Sequence, residues 1–138
     1  MRNNFFFYFF IFFFLIFGSS FSLADQLKIN SSKASVDKKN KIIILEGNVS
    51  AIDSKNNRIY SESAKYNKSE EFIKTIGKTK IITSEGYEVV GNDISFDNKN
   101  RTISSNNETK ILDKDGNKIS VEMFKYFVNK NMFFSKGK

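Results

Sequence analysis

Any chemistry done by this 138-residue chain would have to be done without histidine or cysteine, because the sequence contains neither. Their absence removes the usual neutral-pH general base, the thiolate nucleophile and the softer metal ligands together. The closest carboxylates of interest, Asp113 and Asp115, stand in Asp113-Lys114-Asp115-Gly116-Asn117, where Asp is expected for turn geometry alone. No nucleophile and base pair or metal-ligand spacing accompanies them. The sequence is therefore read as a non-enzyme with no catalytic residues, no metal and no cofactor. The positive charges are nearly all lysine. The formal charge is +7, but the lysines are scattered among Asn, Ser and Glu rather than grouped with Arg and aromatics on one element. That distribution argues against a nucleic-acid partner. Two accounts of it stay open: a compositional bias towards Lys, Asn, Ile and Phe, or a preference for an anionic ligand or surface, which Lys serves as weakly directional point charges.

The elements that would position such residues repeat every thirty residues without a gap. Ile43 is followed by Ile73, Ile103 and Phe133; Gly47 by Gly77, Asn107 and Gly137; Ile52 by Ile82 and Leu112. The other half of the unit agrees, with Ile29, Ile59, Val89 and Ile119 in one series and Val36, Tyr66, Phe96 and Tyr126 in another. A period of this length marks an array whose units are too small to bury an apolar face alone and do so by stacking.

Within a unit the apolar residues alternate in short runs and proline is absent, which predicts strands. Ile43, Leu45, Val49 and Ala51 share one parity. Turns are expected at Asp53 to Asn57, Asn67 to Glu71, Ser84 to Gly86, Asp97 to Asn100 and Asp113 to Asn117, all rich in residues that tolerate unusual backbone angles. Gly47, Gly77 and Gly137 fall inside strands, where glycine signals a bulge, a bend or a close approach of another backbone or ligand; Asn107 at the same step tolerates left-handed geometry. The array is all-β, two strands per unit, arranged as two facing sheets or as one sheet folded like a half-open book. Its inner positions are Ile43, Val49, Ile73, Ile103, Ile111, Phe124, Tyr126 and Phe133. Its ends are exposed sheet edges, which call for a cap or a partner. Residues 131–138 reproduce the opening of a unit and stop mid-repeat, so either a partner completes the array or the sequence belongs to a longer chain.

The first residues are of another kind. Arg2 precedes an apolar run, Phe5 to Phe17, that holds nine of the 16 phenylalanines, and Ser22-Leu23-Ala24 follows as a small-x-small step. This order predicts a secretory signal peptide over residues 1–24, removed after Ala24. The run falls short of the roughly 20 residues a membrane-spanning helix needs. The mature domain is then 25–138, one domain and not two. An exported chain without cysteine must be held by an extended sheet core rather than by disulfides.

Leu45-Glu46-Gly47-Asn48-Val49, then Ser63-Ala64-Lys65-Tyr66-Asn67, then Ile76-Gly77-Lys78-Thr79-Lys80-Ile81 resemble the OstA-like domain of the lipopolysaccharide-transport proteins, the family of LptA and of the N-terminal domain of LptD. The resemblance covers essentially all of residues 25–138. Tyr87 to Ile94 and Asp113 to Ile119 look more like the LptD N-terminal region, without the barrel that follows it there. The resemblance implies a repetitive β-jellyroll in the periplasm, possible association with the outer membrane, and a groove for the acyl chains of lipopolysaccharide. The eight inner residues become the groove candidates, and Lys65, Lys78, Lys80 and Lys110 could favour phosphates. Implied partners are lipopolysaccharide, other jellyroll transport proteins docked through edge strands, and an outer-membrane barrel complex if the chain is part of a longer protein. The competing reading is an exported structural or adhesive β-solenoid with a closed core and no lipid ligand.

Overall fold

The computed structural model describes residues 27–136, so the signal-peptide expectation and Gly137 lie outside the described residues. These residues form twelve antiparallel strands: β1 (Lys28–Asn30), β2 (Lys33–Asp37), β3 (Ile42–Ile52), β4 (Arg58–Asn67), β5 (Phe72–Ile82), β6 (Glu88–Asn92), β7 (Ser95–Asp97), β8 (Thr102–Ser105), β9 (Thr109–Leu112), β10 (Lys118–Val121), β11 (Met123–Phe127) and β12 (Met132–Lys136). A single turn of 3-10 helix, Val128–Lys130, joins the last two.

The pairing resolves the alternative left open by the sequence in favour of one sheet folded over. In the first layer the order is β2, the start of β3, the end of β4, the start of β5, β7, β8, β11 and β12. In the second it is β1, the end of β3, the start of β4, the end of β5, β6, β9 and β10. The long strands β3, β4 and β5 run through both layers. Elsewhere the crossing is a break of one to three residues, between β1 and β2, β6 and β7, β8 and β9, and β10 and β11.

The crossings make a spine, and Gly47 and Gly77 are placed on it for a backbone reason. Their φ angles are +71° and +76°, a left-handed conformation that side chains with a Cβ adopt only at a cost. Opposite them the β3–β4 and β4–β5 registers slip, so each glycine sits in a bulge that turns its strand from one layer into the other. Asp93 clamps the spine at Gly77, accepting the Gly77 N–H at 2.8 Å and returning its own N–H to the Gly77 carbonyl at 3.1 Å. Asn107, at the equivalent step, does not take a positive φ. Its side-chain amide instead reaches the Asn92 carbonyl at 3.3 Å.

The free ends of the layers are two lips made of turns. The first layer contributes the turns at 38–41, 68–71, 98–101 and 128–131, whose last residues Lys41, Glu71, Arg101 and Asn131 all have φ between 46° and 55°. The second contributes 53–57, 83–87 and 113–117, with Asn56, Gly86 and Gly116 at positive φ. The thirty-residue period is thus written in the backbone as well as in the apolar side chains. Between the layers Ile59, Ile81 and Val89 of the second and Ile73, Phe96, Ile103, Phe124 and Tyr126 of the first form a core in which each is at most 1% exposed. Burial of that area, at about 25 cal/mol per Å², is what holds an array of short strands together.

Candidate functional site

The inner surface is filled over its middle and open at its N-terminal end. There β1, β2 and the start of β3 leave a trough of about 660 Å³. Its walls are Leu27, Ile29, Ala34, Ile43, Leu45 and Tyr66, and its rim carries Asn30, Ser31, Lys68 and Glu71. The volume lies within the range of small-ligand sites, and the make-up, apolar walls with a few polar groups at the mouth, is that of a site for an apolar chain with a polar end. Burial, with the Glu71 carboxylate beside it, raises the Tyr66 phenol above its ordinary value, so this hydroxyl stays neutral. Val36, paired with Ile43 across β2 and β3, is 64% exposed.

All eight groove candidates lie on the inner faces, but they fall into different surroundings. Ile43 borders the trough. Val49, Ile73, Ile103, Ile111, Phe124 and Tyr126 are buried in the core. Phe133 is partly buried at the opposite end, its ring stacked on Tyr126 at 4.0 Å and edge-on to Tyr87 at 5.1 Å. Leu27, Ala34, Leu45 and Tyr66 complete the trough and were not singled out as groove residues; the thirty-residue steps of Ala34 to Ala64, Ile94 and Phe124 and of Tyr66 to Phe96 and Tyr126, and the parity Leu45 shares with Ile43, were the available signals, and Leu27 had none. Lys65, Lys78 and Lys110 are exposed, and Lys80 is paired with Glu88 at 2.7 Å.

Polar side chains close the lips over the C-terminal half. Arg101 Nη2 lies 2.8 Å from Asp53 Oδ2, joining the two lips through side chains that are 7% and 0% exposed. Arg101 Nη1 donates to Asn98 Oδ1 at 2.7 Å, and Asn98 Nδ2 donates to Glu71 Oε2 at 2.8 Å, so the network ends at the trough rim. Lys55 Nζ donates to Asn129 Oδ1 across the same opening. The Tyr126 hydroxyl emerges from the core to donate to Glu85 Oε2 at 3.2 Å. Burial, reinforced by the Glu85 charge, pushes this phenol far above its ordinary value. Three of these contacts, Arg101–Asp53, Lys55–Asn129 and Tyr126–Glu85, join a second-layer turn, 53–57 or 83–87, to the first-layer strands and turns from 98 onward. No such contact spans the trough among the described residues.

Nor, among the described residues, is any group of three or more Asp, Glu, His or Cys placed to hold a metal ion. Asp113 serves its turn: Oδ1 accepts the Asp115 and Asn117 N–H groups at 2.9 Å each and Oδ2 accepts Asn117 Nδ2 at 2.8 Å. The side-chain and backbone donors of Asn117 hold its carboxyl below the usual range.

Among known structures the fold is similar to LptH, the LptA-homologous periplasmic component of the lipopolysaccharide transport device of Pseudomonas aeruginosa. The TM-score is 0.71 over 83% of this chain and 84% of that one, at 12% identity, a likeness of fold. No curated protein is matched by sequence. A family model described as lipopolysaccharide-assembly, LptC-related, matches residues 18–112. Neither match singles out the LptD N-terminal domain. With more than half of its length accounted for by that model, the chain belongs to the LptC-related family of lipopolysaccharide-assembly proteins.

Proposed function

We propose that the protein is a periplasmic component of lipopolysaccharide transport that shelters lipid A acyl chains between its layers and passes the glycolipid to neighbouring jellyrolls. Its family is one of transport components and not of enzymes. The observation that carries the reading is the apolar trough at the N-terminal end, whose walls Leu27, Ile29, Ile43 and Tyr66 pack against the hydrophobic core. An acyl chain in water loses about 25 cal/mol for each Å² left exposed, so a trough of Leu, Ile and Tyr carries it by burial alone. Strands β1, β2, β10 and β12 each pair on one side only among the described residues, which supports hand-over by strand addition. Residues 1–24 act in this reading as the export signal. N-terminal sequencing of the protein from the periplasm should begin at Asp25, whereas an intact Met1 would make the Phe5 to Phe17 run a retained anchor.

Photo-crosslinking residues at Ile43, Ile73 and Phe124, with Lys74 on the outer face as control, test the lipid site against lipopolysaccharide. Adducts are expected at Ile43 and, once the lipid has moved inward, at Ile73 and Phe124. Adducts confined to the control would favour the closed solenoid, a reading supported by the filled middle of the core, where Ile73 and Ile103 have no exposed surface.

A further inference from the structure

From the contacts across the lips we infer that the Arg101–Asp53 ion pair is a clasp that divides the interior, leaving the N-terminal trough open and barring lateral access to the core beyond it until it parts. The inference rests on the lipid reading above. Three observations carry it. The pair is buried on both sides, and it joins residues 48 positions apart on opposite lips. Asp53 is also more than a turn residue. Asp53 and Asp113 make the same bonds to their own turns, each accepting backbone N–H groups on Oδ1 and an Asn side chain on Oδ2. Only Asp53 adds an ion pair across the opening. In the same way Lys41, Glu71, Arg101 and Asn131 share one left-handed backbone position, and the guanidinium of Arg101 is the group that reaches the other lip. Finally, the trough and the clasp belong to one network, since Glu71 of the rim holds Asn98 and Asn98 holds Arg101.

The Arg101 guanidinium lies 6.0 Å from the Phe96 ring, and Phe96, Ile103 and Phe124 fill the core with their own side chains. Lipid lodged there requires the layers to separate, and the ion pair is the fastening that separation must undo. Acyl chains therefore enter where the lips are unjoined, at Ile43, and pass towards Phe124 when the clasp opens.

The chain has no cysteine, so a tether can be placed at will. Lys55→Cys and Asn129→Cys, exposed residues that already meet across the lips, are bridged with a short bis-maleimide or, as control, capped singly with N-ethylmaleimide. Photo-crosslinkers at Ile43 and Phe124 then report on lipopolysaccharide. With the lips tethered, adducts at Ile43 should persist while those at Phe124 fall by roughly tenfold or more, the size of a typical coupling between sites. Asp53→Asn, which keeps the turn acceptor but removes the charge, should raise the Phe124 adduct in the untethered protein. Equal Phe124 adducts with and without the tether would overturn the clasp while leaving the lipid site standing. Absence of adducts at Ile43 in every form would remove the lipid reading and the clasp with it.

Discussion

Replacing Arg101 with Met tests the clasp as a source of stability, and its size can be worked from the contacts. Arg101 loses its bonds to Asp53 and Asn98 but keeps an apolar stem of similar reach beside the Phe96 ring. What decides the cost is the carboxylate left behind. Stranding one partner of a buried pair costs ~3–5 kcal/mol. Asp53 still accepts from Lys55 N at 2.9 Å, Asn57 N at 2.8 Å and Asn57 Nδ2 at 2.7 Å, so three donors continue to meet its charge. The lower end, ~3 kcal/mol, is therefore expected. Against a typical total of ~5–15 kcal/mol that is a large share. Asp53→Asn should cost a comparable amount, and the double variant Asp53→Asn with Arg101→Met should cost less than the sum by ~1.5–3 kcal/mol, because no charge is then stranded. Urea unfolding of the four proteins gives the cycle directly, with an unchanged denaturant slope confirming that the folded and unfolded states remain comparable. Additivity within ~0.5 kcal/mol would refute the pair as a fastening and leave Arg101 and Asp53 as independent turn residues.

Thr75→Val, nearly isosteric, should destabilise by ~1–3 kcal/mol in the same assay, because Thr75 Oγ1 accepts the Ile94 N–H at 2.9 Å in the buried spine and valine leaves it unpaired. Gly77→Ala should cost ~1–2 kcal/mol from its left-handed φ alone, since nothing lies within 4 Å of the added Cβ. Gly47→Ala should cost more, because its Cβ would also meet Ser32 Cβ at 3.0 Å, and equal melting temperatures for the two variants would contradict this. Alkali should act through Tyr126. Its folded phenol keeps the proton above the ordinary value of 10.0, so its contribution is intact below about pH 10 and is lost as pH rises beyond it. Absorbance at the tyrosinate band should show Tyr126 ionising only as the protein unfolds; ionisation while the near-ultraviolet circular dichroism is still native would count against its burial.

Much of this fold was legible because it is local and periodic. Parity placed Ile43, Val49, Ile73, Ile103, Ile111, Phe124, Tyr126 and Phe133 on the inner faces, where each is found, and the glycines at 47 and 77 marked the bends. What parity does not carry is the offset between the layers. Whether an inward residue meets the other layer depends on residues several strands away. The same alternation thus yields Ile73 with no exposed surface and Val36 at 64%. Asn107 was misleading for a related reason: tolerance of left-handed geometry does not create it, and there the chain crosses the spine through a break between strands rather than a bulge. The clasp was hidden because Asp53 looks like any turn Asp. The clue was compositional. In a chain of 22 basic residues only Arg2, Arg58 and Arg101 are arginine, and a planar guanidinium suits a buried ion pair where the strongly hydrated lysine ammonium does not.

That asymmetry gives a physical sense to an array whose repeats are otherwise alike. A perfectly uniform array would be open along its whole length or closed along its whole length, and a lipid in it would have no preferred end. Here the second-layer turns 53–57 and 83–87 face first-layer residues from 98 onward, so the first-layer turns at 38–41 and 68–71 stand without opposite numbers among the contacts described. The offset leaves apolar walls exposed at one end and brings an ion pair together further along. If lipid is carried as proposed, direction needs no energy source within the domain. On the proposed lipid reading, an acyl chain would gain burial at the open end, and its further movement would be set by the cost of parting Arg101 from Asp53, a cost of the same few kcal/mol that the mutant cycle measures. A protein in which that cost is abolished should bind lipid as readily at Ile43 while losing the difference in occupancy between Ile43 and Phe124.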